Sequence, residues 1–353
     1  MKNIKLVYIL PEYSDSIGSH FYHKYEFLKR LDREIDLFVV AEKGERPHDF
    51  QKIYIQRFAL LPFRALELFI ILSWLRLIKG YALFWTHYSF VGGILAPLFG
   101  RSFYWNCGMP WLYRRSCAEE FFFRLAMRRS ELVTGTEGLK SSYIERYSLR
   151  WYRVHVLPNW VDIERYAKWR GRKKDARGEL GLDDKKKIIL FLHRLSKRKG
   201  ANLIMPIAED FENDASVLFL VAGEGPLSDI IQGDNIKLVG GIPQHDTPKY
   251  FAAADIFLMP SEEEGFPHVL LEAMAVGVPF VASDVGGVRD MVPESVQHFI
   301  VRQDVHLFQD RIRELLRGAS LRKKTSETLI EWVNRYDCER VLGDFVKLVS
   351  REK

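Results

Sequence analysis

Two short apolar runs, Ile256-Phe257-Leu258-Met259 and Phe280-Val281-Ala282, flank one acidic loop and one short helical segment, Leu270 to Val276. Apolar runs of this length, with no polar alternation, read as strands buried on both faces. Strand, helix and strand in direct succession call for a parallel pairing, because the helix supplies the crossover. Gly277-Val278-Pro279 marks the helix end, with a glycine just past the last turn and a proline that cannot continue it. The fold class is therefore α/β. In open sheets of this class, ligands bind at the loops leaving the carboxyl ends of the strands. Here those loops are Ser261 to Pro267, which carries Glu262, Glu263 and Glu264, and the glycine turn Asp284-Val285-Gly286-Gly287.

Glu264 sits on the first of these loops, and Glu272, eight residues on, lies about a turn inside the helix. The backbone N–H groups of His268, Val269 and Leu270 point out of the helix N-terminus, where partial positive charge favours a phosphate. Carboxylates accept hydrogen bonds from vicinal hydroxyls, and backbone dipoles stabilise a diphosphate without titrating. A pyrophosphate flanked by sugars needs both. An acidic triplet before a helix is ordinarily a solvated loop. Two consecutive ligand-side loops, one acidic and one glycine-rich, argue against that reading here.

The segment Pro260 to Gly287 resembles the retaining GT-B glycosyltransferases that carry an E-x7-E motif, the group 1 or family 4-like glycosyltransferases. The matching residues are Pro260, Ser261, Glu264, Gly265, Phe266, Glu272, Ala273, Met274, Ala275, Gly277, Pro279, Gly286 and Gly287. Arg194-Leu195-Ser196-Lys197-Arg198-Lys199-Gly200 resembles the family's GRL...KG loop, and Gly223-Glu224-Gly225-Pro226 its G-x-G-P strand end. Leu157-Pro158-Asn159-Trp160-Val161-Asp162 resembles the PNGVD interdomain hinge, with Trp160 in place of glycine. The resemblance implies two Rossmann-like domains facing across a cleft. The first spans 1–157, joined by a C-terminal helix of about 337–353 that crosses back, and the second, 158–336, binds the nucleotide sugar.

The resemblance further implies catalytic roles for Arg194 and Lys199 on the donor diphosphate and for Glu264 on the donor sugar. Gly265, Phe266, His268, Val269 and Leu270 would hold the donor with Glu272, which accepts from the ribose, and Gly18 lies in the first domain's first ligand-side loop. Two departures stand out. Pro267 follows Phe266 where EGFG is common, and Pro has no N–H to give the sugar. The usual histidine at the end of a first-domain strand is replaced by Asn106 or Cys107, which leaves His87 and Asn106 as candidates on the acceptor or sugar side. His87 also reads as a structural histidine hydrogen-bonded to a neighbouring loop.

The implied reaction is metal-independent transfer of a hexose-type sugar from a nucleoside-diphosphate sugar to a glycan or lipid-linked acceptor, with retention, in cell-surface polysaccharide or glycolipid synthesis. The chain contains no D-x-D tripeptide. The nucleotide sugar is the donor substrate, and no cofactor is expected. An inactive nucleotide-sugar-binding protein and a GT-B-fold epimerase are the alternatives.

Length and composition suit a two-domain globular enzyme: 353 residues, 47% hydrophobic and 28% charged. Cys107, Cys117 and Cys338 have no metal-ligand spacing, and an odd count reads as reduced thiols in a cytoplasmic protein. Met1-Lys2-Asn3 leads straight into the strand-like Ile4 to Leu10, so no secretory signal is expected. Gly80 to Gly100 lacks charges and approaches the length of a membrane span, but His87, Gly92-Gly93 and Pro97 favour a strand, Ala82 to Trp85, then a loop and a short helix. Leu66 to Leu77 reads as a core-facing amphipathic helix, and Leu60 to Arg64 as a surface segment.

Parallel strands are expected in the first domain at 4–10, 35–40, 82–85, 102–105 and 131–134, with a helix near Phe21 to Leu31. In the second they are expected at 188–192, 217–222, 236–239, 256–259 and 280–282.

Charge is split along the chain: residues 101–174 hold sixteen Lys and Arg against seven Asp and Glu, whereas 185–300 hold ten against sixteen. The cations cluster with aromatics around Trp111, Arg114, Arg115, Phe121, Phe122, Phe123, Arg124, Arg128 and Arg129. That mixture suits the interface of an anionic membrane, and equally a half-buried helix with a solvated basic face. No nucleic-acid motif accompanies it.

Overall fold

The computed structural model describes residues 4–13, 22–44, 52–112 and 116–351. Gly18, Phe21, Arg114 and Arg115 lie outside them. The chain divides into two compact units, Met1–Pro158 with Val341–Lys353, and Asn159–Arg340.

The first unit is built from β1 (Lys5–Leu10), α1 (Tyr22–Glu34), β2 (Asp36–Ala41), β3 (Ile53–Ile55), α2 (Leu61–Leu77), β4 (Leu83–His87) and α3 (Phe90–Leu95). It continues through β5 (Arg101–Trp105), α4 (Cys117–Arg129), β6 (Glu131–Thr134), α5 (Glu137–Tyr147) and β7 (Val154–Val156). The sheet order is β3-β2-β1-β4-β5-β6-β7, with every pair parallel. Order reverses at β1, whose Leu6 pairs with Leu37 on one side and Leu83 on the other. Right-handed crossovers then place α2, α3, α4 and α5 on one face of the sheet. The charge-free stretch 80–100 is broken into β4, α3 and a turn of 3-10 helix at Ala96–Leu98. Among the described residues no helix is long and apolar enough to cross a membrane.

The second unit comprises α6 (Ile163–Ala167), α7 (Lys173–Glu179), β8 (Lys187–Leu192), α8 (Ile204–Glu209), β9 (Val217–Ala222), β10 (Ile236–Gly240), α9 (Thr247–Ala253) and β11 (Ile256–Met259). It continues through α10 (His268–Val276), β12 (Phe280–Ser283), β13 (Ile300–Val301), α11 (Val305–Arg317) and α12 (Ala319–Trp332). The last helix, α13 (Cys338–Ser350), belongs from Val341 onward to the first unit, where Phe345 packs on Phe27 at 5.7 Å and Trp85 at 4.4 Å between ring centres.

The second sheet runs β10-β9-β8-β11-β12-β13, again all parallel. β8 and β9 pair along six residues, but β8 and β11 pair only at Ile189–Ile256 and Leu190–Phe257. The sheet order reverses there, and the strands part toward their carboxyl ends, the position at which open α/β sheets take ligands. Below it Leu190, Leu220, Phe257 and Val281 are fully buried, each contributing about 1.5–3 kcal/mol. This core fixes the loops above it.

The expected strands all form, and β3, β7 and β13 are additional. The helix expected over Leu66 to Leu77 begins at Leu61 and is not amphipathic in the expected sense. Leu68, Ile71, Leu72 and Leu75 are buried against the core, but the opposite face is apolar as well.

Candidate functional site

Four loops leave the carboxyl ends of β8, β9, β11 and β12, and glycines let them touch. Gly200, left-handed at φ 73°, sits so close to the loop after β11 that a Cβ would lie 2.0 Å from the carbonyl oxygen of Pro260. Gly223, at φ 138°, would put a Cβ 1.9 Å from the carbonyl of His193. No other residue fits either place. The amide of Gly287 donates to the carbonyl of Gly265 at 3.0 Å, and that of Glu262 to the carbonyl of Arg198 at 3.0 Å. The loops are thereby stitched into one surface.

Glu264 is buried in the middle of it. Its Oε1 accepts from Lys199 Nζ at 2.7 Å and from Ser261 Oγ at 2.9 Å, with His193 Nε2 at 3.6 Å. Lys199 is itself buried, held by the one-turn 3-10 helix Lys197–Lys199. Arg194, in the same loop, is exposed.

Helix α10 begins at His268, and its N-cap, Pro267, makes no side-chain capping bond. The side chains of Phe266, Val269 and Leu270 are buried. Phe266 packs edge-on to Tyr336 at 5.6 Å, and its carbonyl accepts from Asn159 Nδ2 at 2.6 Å. The imidazole of His268 engages the carbonyl of Trp160 at 3.1 Å. The hinge-like stretch Asn159-Trp160 thus braces the Glu264 loop, a role its sequence did not suggest.

Glu272 is buried on the second turn of α10, with Gln244 Nε2 at 3.5 Å and Tyr166 and Arg165 beside it. Burial raises its pKa above the ordinary 4.5, although the Tyr166 hydroxyl, the Arg165 charge and Gln244 oppose the shift. Tyr166 in turn meets Thr247 Oγ1 at 2.9 Å.

Ser261 matched the motif without a role assigned to it, and His193, Gln244, Arg165 and Tyr166 were not foreseen. His193 carried a signal, since it directly follows a buried strand. Arg165 and Tyr166 stand in a short helix outside any motif.

In the first unit, His87 at the end of β4 is fully buried. Its Nδ1 meets the Tyr8 hydroxyl at 2.8 Å, and its ring packs edge-on to Trp105 at 3.9 Å. One partner is thus a core tyrosine of β1. Asn106 is buried, with Oδ1 accepting from the Gly108 amide at 2.8 Å. Nearby Lys24 is also buried, and desolvation pushes its pKa down to about 7. Desolvation also pushes the Cys107 thiol and the Tyr8 hydroxyl up.

Residues 172–332 match the family described as glycosyl transferases group 1. The second unit carries a group 1 glycosyltransferase domain. A D-inositol 3-phosphate glycosyltransferase of Segniliparus rotundus is 28% identical over 191 residues, 50% of this chain and 42% of that protein. A GDP-mannose-dependent monoacylated alpha-(1-6)-phosphatidylinositol monomannoside mannosyltransferase of Corynebacterium glutamicum is 32% identical over 214 residues, 54% of this chain and 56% of that one. The chain spans about half the length of these curated relatives. Among solved structures, Anabaena HepE in complex with UDP and glucose superimposes with a TM-score of 0.80 at 16% identity, covering 99% of this chain and 100% of that one. At that identity the likeness shows the fold, which is GT-B.

Proposed function

We propose that the chain is a retaining glycosyltransferase that moves a hexose-type sugar from a nucleoside-diphosphate sugar to a glycan or lipid-linked acceptor, in cell-surface polysaccharide or glycolipid synthesis. The observation that carries the reading is the group 1 domain whose Lys199, Glu264 and α10 N-terminus lie on neighbouring loops where the sheet order reverses. Anion donors and hydroxyl acceptors side by side suit a sugar diphosphate. The UDP and glucose bound in HepE support a donor of that class. Arg194, Lys199 and the α10 amides stabilise the departing diphosphate, with no metal required.

The acceptor hydroxyl attacks the anomeric carbon on the face the diphosphate leaves. The new C–O bond forms as the old one breaks, and the hydroxyl proton passes to a departing phosphate oxygen. Incubation with a panel of nucleotide sugars should release free nucleoside diphosphate. Binding without release would indicate an inactive nucleotide-sugar-binding protein, and interconversion of the sugar an epimerase. NMR of the product should show the donor's anomeric configuration, and EDTA should leave turnover unchanged. Inversion of the anomeric centre would refute the mechanism.

Glu272→Gln is expected to weaken donor binding by about 1.5–3 kcal/mol, through loss of a charged hydrogen-bond acceptor. It should also stabilise the protein. Because the folded pKa lies above 4.5, the contribution of protonated Glu272 is fully present below pH 4.5 and is lost as pH rises through the folded value. Glutamine mimics the protonated form, so the variant should melt higher than wild type at neutral pH, with the difference closing toward pH 4. Thermal melts across that range and donor titrations at neutral pH check both halves.

The membrane-side component of the reading rests on α4. Phe121, Phe122, Arg128 and Arg129 are exposed there, whereas Arg124 is paired with Glu120 at 2.7 Å. Docking of this stretch on lipid phosphates would place the enzyme on the cytoplasmic face of the membrane beside a lipid-linked acceptor.

A further inference from the structure

Helix α2 lies in the outer layer of the first unit, packed next to α3. Its inner face supplies Leu68, Leu72 and Leu75 to the core. At 100° per residue, the outer arc is Pro62, Phe63, Leu66, Phe69, Ile70, Ser73, Trp74 and Leu77. Ser73 is its single polar member, and the Ser73 hydroxyl is turned back to the carbonyl of Phe69 at 2.7 Å. Leu66, Ile70 and Leu77 are 58%, 59% and 79% exposed, and the flanking Phe58, Leu60 and Ile78 are exposed too. A helix that is apolar all round is ordinarily buried, and contiguous apolar surface on this scale marks an interaction site.

Charge identifies the partner. Between Arg57 and Lys79 the cations Arg57, Arg76 and Lys79 are exposed, and the only carboxylate, Glu67, is buried under Tyr54 and the amides of Arg57 and Phe58. The ammonium of Lys79 stands 5.1 Å from the centre of the Trp74 ring. Aromatics and aliphatics on one face, with three exposed cations and no exposed carboxylate between Arg57 and Lys79, match the headgroup boundary of an anionic bilayer, where apolar side chains enter and Lys and Arg stay at the phosphates. At 17 residues, with one face committed to the core, α2 is suited to lie in that boundary and not to cross it.

We propose that α2 is an interfacial helix that seats the first unit on anionic phospholipid. This surface is distinct from the α4 stretch, and its seating does not depend on the transfer reaction. Sedimentation with vesicles of phosphatidylglycerol and phosphatidylcholine, and with phosphatidylcholine alone, tests it. Wild type should co-sediment with the anionic vesicles and far less with the neutral ones. The double substitution Leu66→Glu with Ile70→Glu should lower partitioning about tenfold or more, because two charges enter the embedded face. Arg76→Glu with Lys79→Glu should reduce binding to anionic vesicles.

All four positions are exposed, so circular dichroism and nucleoside-diphosphate release from donor should match wild type. A Leu66→Glu, Ile70→Glu variant that binds like wild type overturns the proposal, as does wild type that binds neither vesicle. So does Arg124→Glu, Arg128→Glu, Arg129→Glu abolishing binding that the α2 variant retains. A wild-type dimer in sedimentation velocity that Leu66→Glu splits, with no vesicle binding, would assign the face to a second copy of the chain. Donor turnover is read separately, so failure of vesicle binding leaves the transferase reading standing, and failure of turnover leaves α2 docking standing.

Discussion

Lys199→Ala is expected to cost the protein both stability and turnover. Lys199 and Glu264 form a buried pair at 2.7 Å, and the carboxylate's other close partner is the Ser261 hydroxyl. Removing the ammonium strands a charge in the interior, a change worth about 3–5 kcal/mol, because the penalty is the unpaired ion's and not the pair's own strength. For a unit of this size that lowers the melting midpoint by on the order of 10 °C. Turnover should fall by a further 2–4 kcal/mol or so in activation free energy if the same ammonium meets the diphosphate. The double variant Lys199→Ala, Glu264→Gln separates the two effects. Neutralising the stranded carboxylate should recover most of the stability and none of the turnover. A single variant that melts with wild type would show that the pair is not a structural element.

Arg194→Ala should produce the opposite pattern. Arg194 follows β8 in an exposed position and forms no ion pair among the described residues. Its loss should leave stability within about 0.5 kcal/mol of wild type. If it grips the leaving diphosphate, turnover should fall roughly 30- to 1000-fold, the rate equivalent of 2–4 kcal/mol. Arg194→Lys should recover part of that, because an ammonium keeps the charge but not the fork of donors. Steady-state kinetics on folded variants decide the matter: wild-type turnover in Arg194→Ala would reduce this residue to a surface charge. Lys199 is engaged by Glu264 whereas Arg194 forms no ion pair among the described residues, a distinction that the sequence of the loop did not carry.

Much of the architecture was legible because buried parallel strands declare themselves locally. Ile188 to Leu192, Val217 to Ala222 and Ile256 to Met259 are unbroken apolar runs, and each is a strand. Three strands escaped notice for a physical reason. Ile53–Ile55, Val154–Val156 and Ile300–Val301 are two or three residues long and lie at sheet edges, where pairing with a preformed neighbour, and not their own pattern, makes them strands. The E-x7-E spacing was equally plain, and the structure puts Glu264 on the loop and Glu272 inside the helix because that spacing crosses a Gly-Phe-Pro turn.

Helix α2 shows where pattern stops. Its sequence is apolar on both faces, so its length announces a helix and no pattern says which face the sheet will cover. Only packing against Leu68, Leu72 and Leu75 leaves Phe63, Leu66, Ile70 and Trp74 outside.

By itself, then, the sequence determined the parallel α/β class, the strand–loop–helix unit that presents Glu264, and the start of α10 just past the Gly-Phe-Pro turn, because these depend on spacings of a few residues that backbone geometry converts directly into structure. Tertiary structure alone decided that Lys199 closes on Glu264 across 65 positions of chain, that Asn159 braces the same loop, that Tyr166 and Gln244 surround Glu272, and that α2 turns an apolar face outward. Those contacts join elements made neighbours by the order of the strands, and strand order is a property of the assembled sheet that no local run of residues encodes.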